Sequence, residues 1–282
     1  MLAVNLPNLK KRARDVRLNV LYQGMKFGQG YIGQGMQTAD IMALLHFHEM
    51  NWSPDRLEDP TRDRFLLSTG HYAISMYATY AALGMLTRDQ LASYGQDGSK
   101  LSLGAEVGHV PGIEFSGGSL GQGLGVSAGL AWGLALQGNS ARVFNYMSDG
   151  ETQEGSVWEA AMLAGSRGMG NLVNIVDVNR VQADGPLVLE IEPLAEKFRA
   201  FGWWVEEVDG NDMAALVEVF EKARDVADKP KAIICHTQIG AGSPTLESYP
   251  KAHFVRVEPD QWQGIYEEFE VASAEGLKGA AQ

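Results

Sequence analysis

Cysteine and positive charge are both scarce in this sequence. Its 282 residues include a single cysteine, Cys235, so an internal disulfide framework is excluded. Lys and Arg number 23 against 35 Asp and Glu, and the net charge of −12 argues against binding to nucleic acids or to anionic membranes. The sequence also lacks a signal-peptide-like start and any apolar stretch long enough to span a bilayer. These absences predict a cytoplasmic enzyme or binding protein without nucleic-acid or membrane partners.

The segments after residue 140 alternate between strand-like and helix-like patterns. The strand-like stretches are residues 141–147, 171–178, 203–209 and 231–237, and the helix-like ones are 156–164 and 213–228. This alternation predicts an α/β fold, with a doubly wound, mostly parallel sheet and helices on both faces. We expect one domain over residues 1–270 and, because residues 271–282 are small and polar, a flexible tail after it.

Polar side chains follow two of these predicted strands. Asp149 comes directly after one strand and Asn179 after the next, so both are expected at the carboxyl edge of the sheet, where open α/β sheets bind ligands. Carboxylate, amide and main-chain carbonyl oxygens suit magnesium or calcium. Gly150 lets backbone amides approach an anion at the start of a helix. The pattern is consistent with a divalent metal clamping a diphosphate, but an ordinary strand-to-helix turn uses the same residue types.

The sequence around these residues resembles a known family. Ser148-Asp-Gly-Glu-Thr-Gln-Glu-Gly, with Asp177-Val-Asn-Arg-Val-Gln-Ala-Asp-Gly further on, resembles the thiamine-diphosphate motif, in which Gly-Asp-Gly is followed later by Asn. Ser148 stands where that motif usually has Gly. Glu154-Gly-Ser-Val-Trp-Glu-Ala-Ala-Met resembles the N-terminal part of transketolase, in particular the separate N-terminal subunit of split transketolases. The resemblance runs from about Arg17 to about Asp260.

The resemblance implies a diphosphate-binding (PP-type) domain that holds thiamine diphosphate and Mg²⁺ or Ca²⁺. It assigns the metal to Asp149, Asn179 and the main-chain carbonyl near Val181. The expected cofactor contacts, carried over from the family motifs, are His71, Gly118, Ser119, Leu120, Asp149, Gly150, Glu151 and Asn179.

Three residues inherit catalytic roles from the resemblance, one of them a cofactor contact as well. Leu67-Ser-Thr-Gly-His71 matches a family motif whose histidine contacts the diphosphate and the donor substrate. His253 is the candidate for a second active-site histidine in the loop after the last predicted strand, and a surface histidine is the alternative. Glu154 is similar to the glutamate that contacts the catalytic glutamate across the subunit interface.

Two positions depart from the family pattern. The segment Gly28-Gln-Gly-Tyr-Ile-Gly33 has Tyr31 where a substrate-contacting histidine is usual, and Ala105 stands near the place of another histidine, with His109 offset from it. The same segment formally matches a dinucleotide-binding Gly-x-Gly-x-x-Gly, but a predicted helix and not a strand precedes it.

The function that the resemblance implies is transfer of a two-carbon ketol unit from a ketose (phosphate) donor to an aldose acceptor. The family's catalytic glutamate lies on a second, pyrimidine-binding domain, which this sequence does not include. We therefore expect a separate C-terminal subunit that supplies it, in an assembly with two copies of each chain.

Three alternatives remain open on the sequence alone. One is the alpha subunit of a 2-oxo acid dehydrogenase, or another two-carbon-unit transferase in specialised metabolism. The others are a nicotinamide-dependent dehydrogenase, supported only by Gly28–Gly33, and a scaffold that keeps the fold without the chemistry.

Overall fold

The computed structural model describes residues 4–183 and 185–279, and for residues 274–279 it describes the backbone only. In chain order, the strands are β1 (Gln29–Gly30), β2 (Arg64–Leu67), β3 (Val143–Ser148), β4 (Leu172–Val178), β5 (Val181–Gln182), β6 (Gly185–Pro186), β7 (Trp204–Asp209), β8 (Lys231–His236) and β9 (Val255–Arg256).

The helices precede, connect and follow these strands. They are α1 (Leu6–Phe27), α2 (Ile32–Gln37), α3 (Ala39–Leu44), α4 (Ala73–Ala82), α5 (Arg88–Ala92), α6 (Gly123–Leu136), α7 (Gly155–Ser166), α8 (Leu194–Ala200), α9 (Met213–Arg224), α10 (Pro244–Glu247) and α11 (Pro259–Gly279). The predicted tail, residues 271–282, begins inside α11, and residues 280–282 lie outside the described residues. None of the described helices combines the length and apolar character needed to cross a membrane.

The main sheet has five strands in the order β2-β3-β4-β8-β7, and every neighbouring pair is parallel. From β4 the chain passes to the edge strand β7 and then returns to β8. This confirms the predicted doubly wound α/β fold, including the parallel pairing of the two strands that precede Asp149 and Asn179.

Apolar side chains cover both faces of this sheet. One core contains Val20 of α1, Ile74 of α4 and Phe220 of α9, and the other contains Leu124 of α6 and Phe198 of α8. All seven residues of β4 are buried because the strand is central and covered on both faces. The carboxyl ends of the parallel strands therefore form one edge that is fixed from both sides.

Two helix ends can be compared with the sequence-based prediction. The helix predicted over 213–228 ends at Arg224, and Pro230 favours an extended chain just before β8. Helix α1 ends at Phe27, and Gly28 closes it with a left-handed φ of 82°. As predicted, a helix therefore precedes the Gly28–Gly33 segment, and the strand that a dinucleotide site requires is absent there.

Candidate active site

Asp149 and Asn179 follow directly on the carboxyl ends of β3 and β4, as predicted. The Asp149 carboxylate accepts hydrogen bonds from the main-chain N–H groups of Gly150 (2.7 Å) and Arg180 (2.6 Å). Arg180 has a φ of 60°, an uncommon backbone conformation for a non-glycine residue. Burial raises the pKa of Asp149, and the N–H donors of Arg180 and Gly150 oppose that rise. Asp149 thus joins the two strand ends.

The orientation of the Asn179 amide is set by groups on both of its sides. Its Nδ2 donates to the Tyr72 hydroxyl (3.1 Å), while its Oδ1 accepts from the N–H of Val181 (2.8 Å). Tyr72 is also hydrogen-bonded to Asp177, a buried carboxyl that accepts from the Thr237 hydroxyl. Burial raises the pKa of Asp177 to about 7, although these hydrogen bonds act to lower it. Asn179 is therefore held in one orientation by a buried network behind the sheet edge.

Glu151 connects three segments of the site. Its fully buried carboxylate accepts from the hydroxyls of Ser68 and Thr69 and from the main-chain N–H of Gly121 (2.8 Å). The Ser68 hydroxyl in turn accepts from the N–H of Gly123 (3.0 Å). Sequence resemblance places Glu151 among the cofactor contacts, but its oxygens face these donors. It holds the glycine-rich loop against the end of β2.

The same loop approaches the segment before α4 at backbone distance. A Cβ added to Gly70 would lie 2.2 Å from the carbonyl carbon of Gly117, closer than any side chain could fit. Glycine at these two positions lets the loop and the turn that carries His71 pack directly together.

Replacement of Glu151 by alanine is expected to lower the free energy of unfolding by about 3 kcal/mol, because it leaves buried hydroxyl and N–H donors without an acceptor. Thermal and denaturant unfolding would measure this loss. Glu159→Ala, at an exposed position of α7, is the matched control. A Glu151→Ala protein as stable as the control would contradict the linking role of this carboxylate.

His71 and His253 lie side by side with Tyr31. The ring centroids of His71 and His253 are 5.4 Å apart, and that of Tyr31 is 4.7 Å from His71 and 5.7 Å from His253. Burial lowers the pKa of His71 to about 3, with a smaller contribution from His253. His71 is therefore uncharged at neutral pH, so its ring can accept one hydrogen bond and donate another.

A cavity of about 230 Å³ opens between these groups. Six of the residues predicted from the sequence line it: His71, Leu120, Asp149, Gly150, Val181 and His253. Tyr72 and Gln182 line it as well. The structure thus brings both predicted histidines to the Asp149 turn.

The other predicted residues, which include Asn179 and Glu151, do not line this cavity. Gly118 and Ser119 are exposed on the glycine-rich loop. Glu154 is exposed, with its side chain against Gly121. His109 lies 3.6 Å from Glu106 and lines a separate cavity.

The oxygen atoms at the two strand ends fit a divalent cation. The described residues contain no group of three or more His, Cys, Asp and Glu side chains suited to a metal. A metal here would rest instead on the Asp149 carboxylate, the Asn179 amide oxygen and a main-chain carbonyl, all hard ligands that Mg²⁺ or Ca²⁺ accepts. The Asn179 Oδ1 atom accepts one hydrogen bond, from the N–H of Val181, and has a second lone pair that could bind a metal.

Several contacts of the site were not predicted from the sequence. Gln182 lies over Gly150, since a Cβ there would be 2.8 Å from the Gln182 amide nitrogen. Gln37 of α2 donates to Asp177, a contact between residues far apart in the chain. A carboxyl inside a strand that is apolar except for Asn174 is the sequence signal that could have indicated Asp177.

The similarity of this chain to known proteins extends over nearly its whole length. Residues 9–274 match the family described as transketolase, thiamine diphosphate binding domain. The chain belongs to the transketolase family.

Relatives of similar length and solved structures agree with this assignment. A transketolase family protein of Sinorhizobium fredii is 48% identical over 258 residues, covering 90% of this chain and 92% of that protein. One subunit of the apulose-4-phosphate transketolase of Phocaeicola vulgatus is 34% identical, and the match covers 89% of this chain and 88% of that protein. The transketolase of Campylobacter jejuni superposes with a TM-score of 0.83 at 26% identity, covering 99% of this chain and 48% of that one.

Proposed function

We propose that this chain binds thiamine diphosphate and Mg²⁺ and transfers two-carbon ketol units from a ketose to an aldose together with a separate C-terminal subunit. The observation that carries the proposal is the convergence of Asp149, Asn179, His71 and His253 at one edge of the sheet. Bound thiamine diphosphate would supply the carbanion chemistry. Family membership and the name of the Phocaeicola relative support the reaction class.

The chain's own residues would hold and orient the cofactor. Asp149 and Asn179 would ligate the metal that neutralises the diphosphate, with Val181 contributing its carbonyl. Gly150 places no side chain of its own in the cavity wall, but the Gln182 side chain lies over it and the Gly150 N–H donates to Asp149. Neutral His71, which also lines the cavity, could donate to a phosphate oxygen or to a substrate hydroxyl.

The carboxylates near the cavity support the need for a partner subunit, because each of them already accepts hydrogen bonds within this chain. The described carboxylates nearest the cavity are engaged: Asp149 by main-chain donors, Asp177 by Thr237 and Gln37, and Glu151 by Ser68, Thr69 and Gly121. None of these three is available to face an aminopyrimidine ring. Exposed Glu154 would instead meet the glutamate that the partner brings.

Helix α6 offers a surface for that partner. It contains no charged residue, yet Val126, Trp132 and Leu136 are exposed by 47%, 37% and 77%. Met162 and Leu163 of α7, a helix that packs against α6, are exposed as well. Helices without a polar face are normally buried on all sides, so this face supports assembly with another chain.

The alpha subunit of a 2-oxo acid dehydrogenase remains the second candidate, because Tyr31 occupies the place of a histidine that transketolases usually direct at the sugar. An assay of the assembled protein separates the two reactions: aldehyde release from a ketose against carbon dioxide release from 2-oxo acids, with thiamine diphosphate added or withheld. Cofactor-dependent ketose cleavage is expected. Decarboxylation without ketose cleavage would overturn the proposal.

A further inference from the structure

A cavity of about 640 Å³, here called the amino-edge cavity, lies where the parallel strands begin. Its wall includes the residues immediately before β2, β3 and β4, namely Asp63, Arg142 and Asn171, and also Lys231, the first residue of β8. It shares no described lining residue with the cavity that Asp149 lines. Because parallel strands begin at one edge of a sheet and end at the other, the two cavities lie at opposite edges.

Two arginines match the two carboxylates in this wall. The Glu49 Oε1 atom accepts a hydrogen bond from Arg142, and its Oε2 atom accepts one from the Nε of Arg224 (2.9 Å). Asp63 accepts from the guanidinium of Arg142 (2.9 Å) and from its main-chain N–H (2.7 Å). The carboxylate side chains are exposed by only 1% and 4%. Buried charges require paired and hydrogen-bonded partners, and these four groups supply them to one another without a net charge.

Lys231 adds a third positive charge to the same wall. The residue is 4% exposed, and the main-chain carbonyl of Gly170 is the one acceptor that its three N–H donors reach within the described part of the chain. Across residues 4–183 and 185–279, Lys231 forms no ion pair within 4.0 Å. Burial lowers the pKa of Lys231 to about 8, and Arg142 adds to this effect, whereas Asp228 opposes it. The wall therefore has one positive charge that no described carboxylate pairs.

We propose that the amino-edge cavity binds a small oxyanion, the phosphate or carboxylate group of a metabolite, with Lys231 as its charged ligand. The anion would pair the positive charge that the wall leaves unpaired, and it would accept the N–H donors of the ammonium that Gly170 does not use. A volume of about 640 Å³ lies within the range of small-molecule sites, roughly 300–1,000 Å³. The inference does not depend on the proposed ketol transfer, because no residue of this cavity takes part in that reaction.

Calorimetric titration of the full chain with inorganic phosphate tests the proposal. Lys231→Met is expected to weaken phosphate binding at least about tenfold, the effect of losing one hydrogen bond from a charged group. Lys229→Met removes an exposed lysine that does not line the cavity, so it is the matched control and should bind as the wild type does. Lys231→Arg, which keeps the charge, should retain part of the affinity. Parallel titrations with acetate and chloride show whether the site prefers phosphate or carboxylate, and a response to chloride equal to both would overturn the proposal.

Phosphate could also enter the cavity beside Asp149, so the titration is repeated with thiamine diphosphate and Mg²⁺ present. The part of the binding that depends on Lys231 should persist, because the two cavities lie at opposite edges of the sheet. Its disappearance on addition of the cofactor would place the phosphate beside Asp149 and would overturn a separate site. Neither titration requires turnover, so the result stands whether or not ketose cleavage is observed.

Trace acetylation of the wild-type chain with acetic anhydride, followed by mass spectrometry, assigns the binding to a residue. Phosphate should protect Lys231 and leave the labelling of exposed Lys229 unchanged. This measurement needs no variant, so it decides the matter even if Lys231→Met fails to fold. Phosphate should also raise the Tm of the wild type and of Lys229→Met but not of Lys231→Met, because only a bound ligand stabilises the folded state. Equal labelling of Lys231 with and without phosphate, or wild-type phosphate affinity in Lys231→Met, would overturn the proposal.

Discussion

The chain supplied alone with thiamine diphosphate and Mg²⁺ is expected to bind the cofactor and to leave ketoses uncleaved. Binding needs the groups that this chain already brings together, namely Asp149, Asn179 and His71. Activation needs a carboxylate opposite the aminopyrimidine ring. Buried Glu151 does not line the cavity and is engaged by three donors of its own chain, and Asp149 accepts from two main-chain N–H groups. The lone chain should therefore show calorimetric binding without detectable aldehyde release in a coupled assay.

Addition of the second chain provides the control for this prediction. A partner that resembles the C-terminal part of transketolase should restore turnover, and the rate should saturate as the partner is titrated. A partner with its catalytic glutamate changed to glutamine should assemble but restore little activity. Val126→Asp in the exposed face of α6 should weaken assembly, because it buries a charge, while cofactor binding by the chain alone remains. Robust turnover by the lone wild-type chain would contradict the two-chain site.

The parts of the fold that could be predicted from the sequence depend on short-range patterns. Residues 141–147 and 171–178 are read as strands from their own composition, and parallel pairing follows from the helix between them. Their carboxyl ends then have to share one edge, so the neighbourhood of Asp149 and Asn179 follows from topology without coordinates. His71 could be added from its motif because it also lies after a strand, β2, of the same sheet.

Contacts between loops could not be predicted in this way. The orientation of Glu151 toward Ser68 and Gly121 depends on how the glycine-rich loop folds back over β2, and neither strand periodicity nor helix capping specifies that path. The approach of Arg256 to Phe254 likewise depends on the antiparallel pairing of β9 with β1, two-residue strands too short to recognise from composition. The stability of each such contact comes from tertiary packing, which a local pattern does not encode.

Replacement of Asp149 by asparagine is expected to weaken the binding of thiamine diphosphate in the presence of Mg²⁺ by at least about a hundredfold. Losing even an outer contact of a metal site typically costs about 10- to 100-fold in affinity, and a direct ligand should cost more. Asparagine keeps the size of the side chain but removes the buried negative charge that would attract the cation. It also replaces one of the two oxygen atoms that accept from Gly150 and Arg180 with an N–H donor.

The matched control for this change is Asp209→Asn. Asp209 ends β7 of the same sheet and accepts from the N–H of Asn211 (2.8 Å), but it does not line the cavity. Calorimetry over a range of Mg²⁺ concentrations should show metal-dependent cofactor binding in the wild type and in Asp209→Asn, and little metal dependence in Asp149→Asn. Unfolding measurements on the cofactor-free proteins would separate lost affinity from lost stability. If Asp149→Asn bound the cofactor with wild-type affinity and wild-type dependence on Mg²⁺, the metal would have to lie elsewhere, and the role given to the turn after β3 would fail.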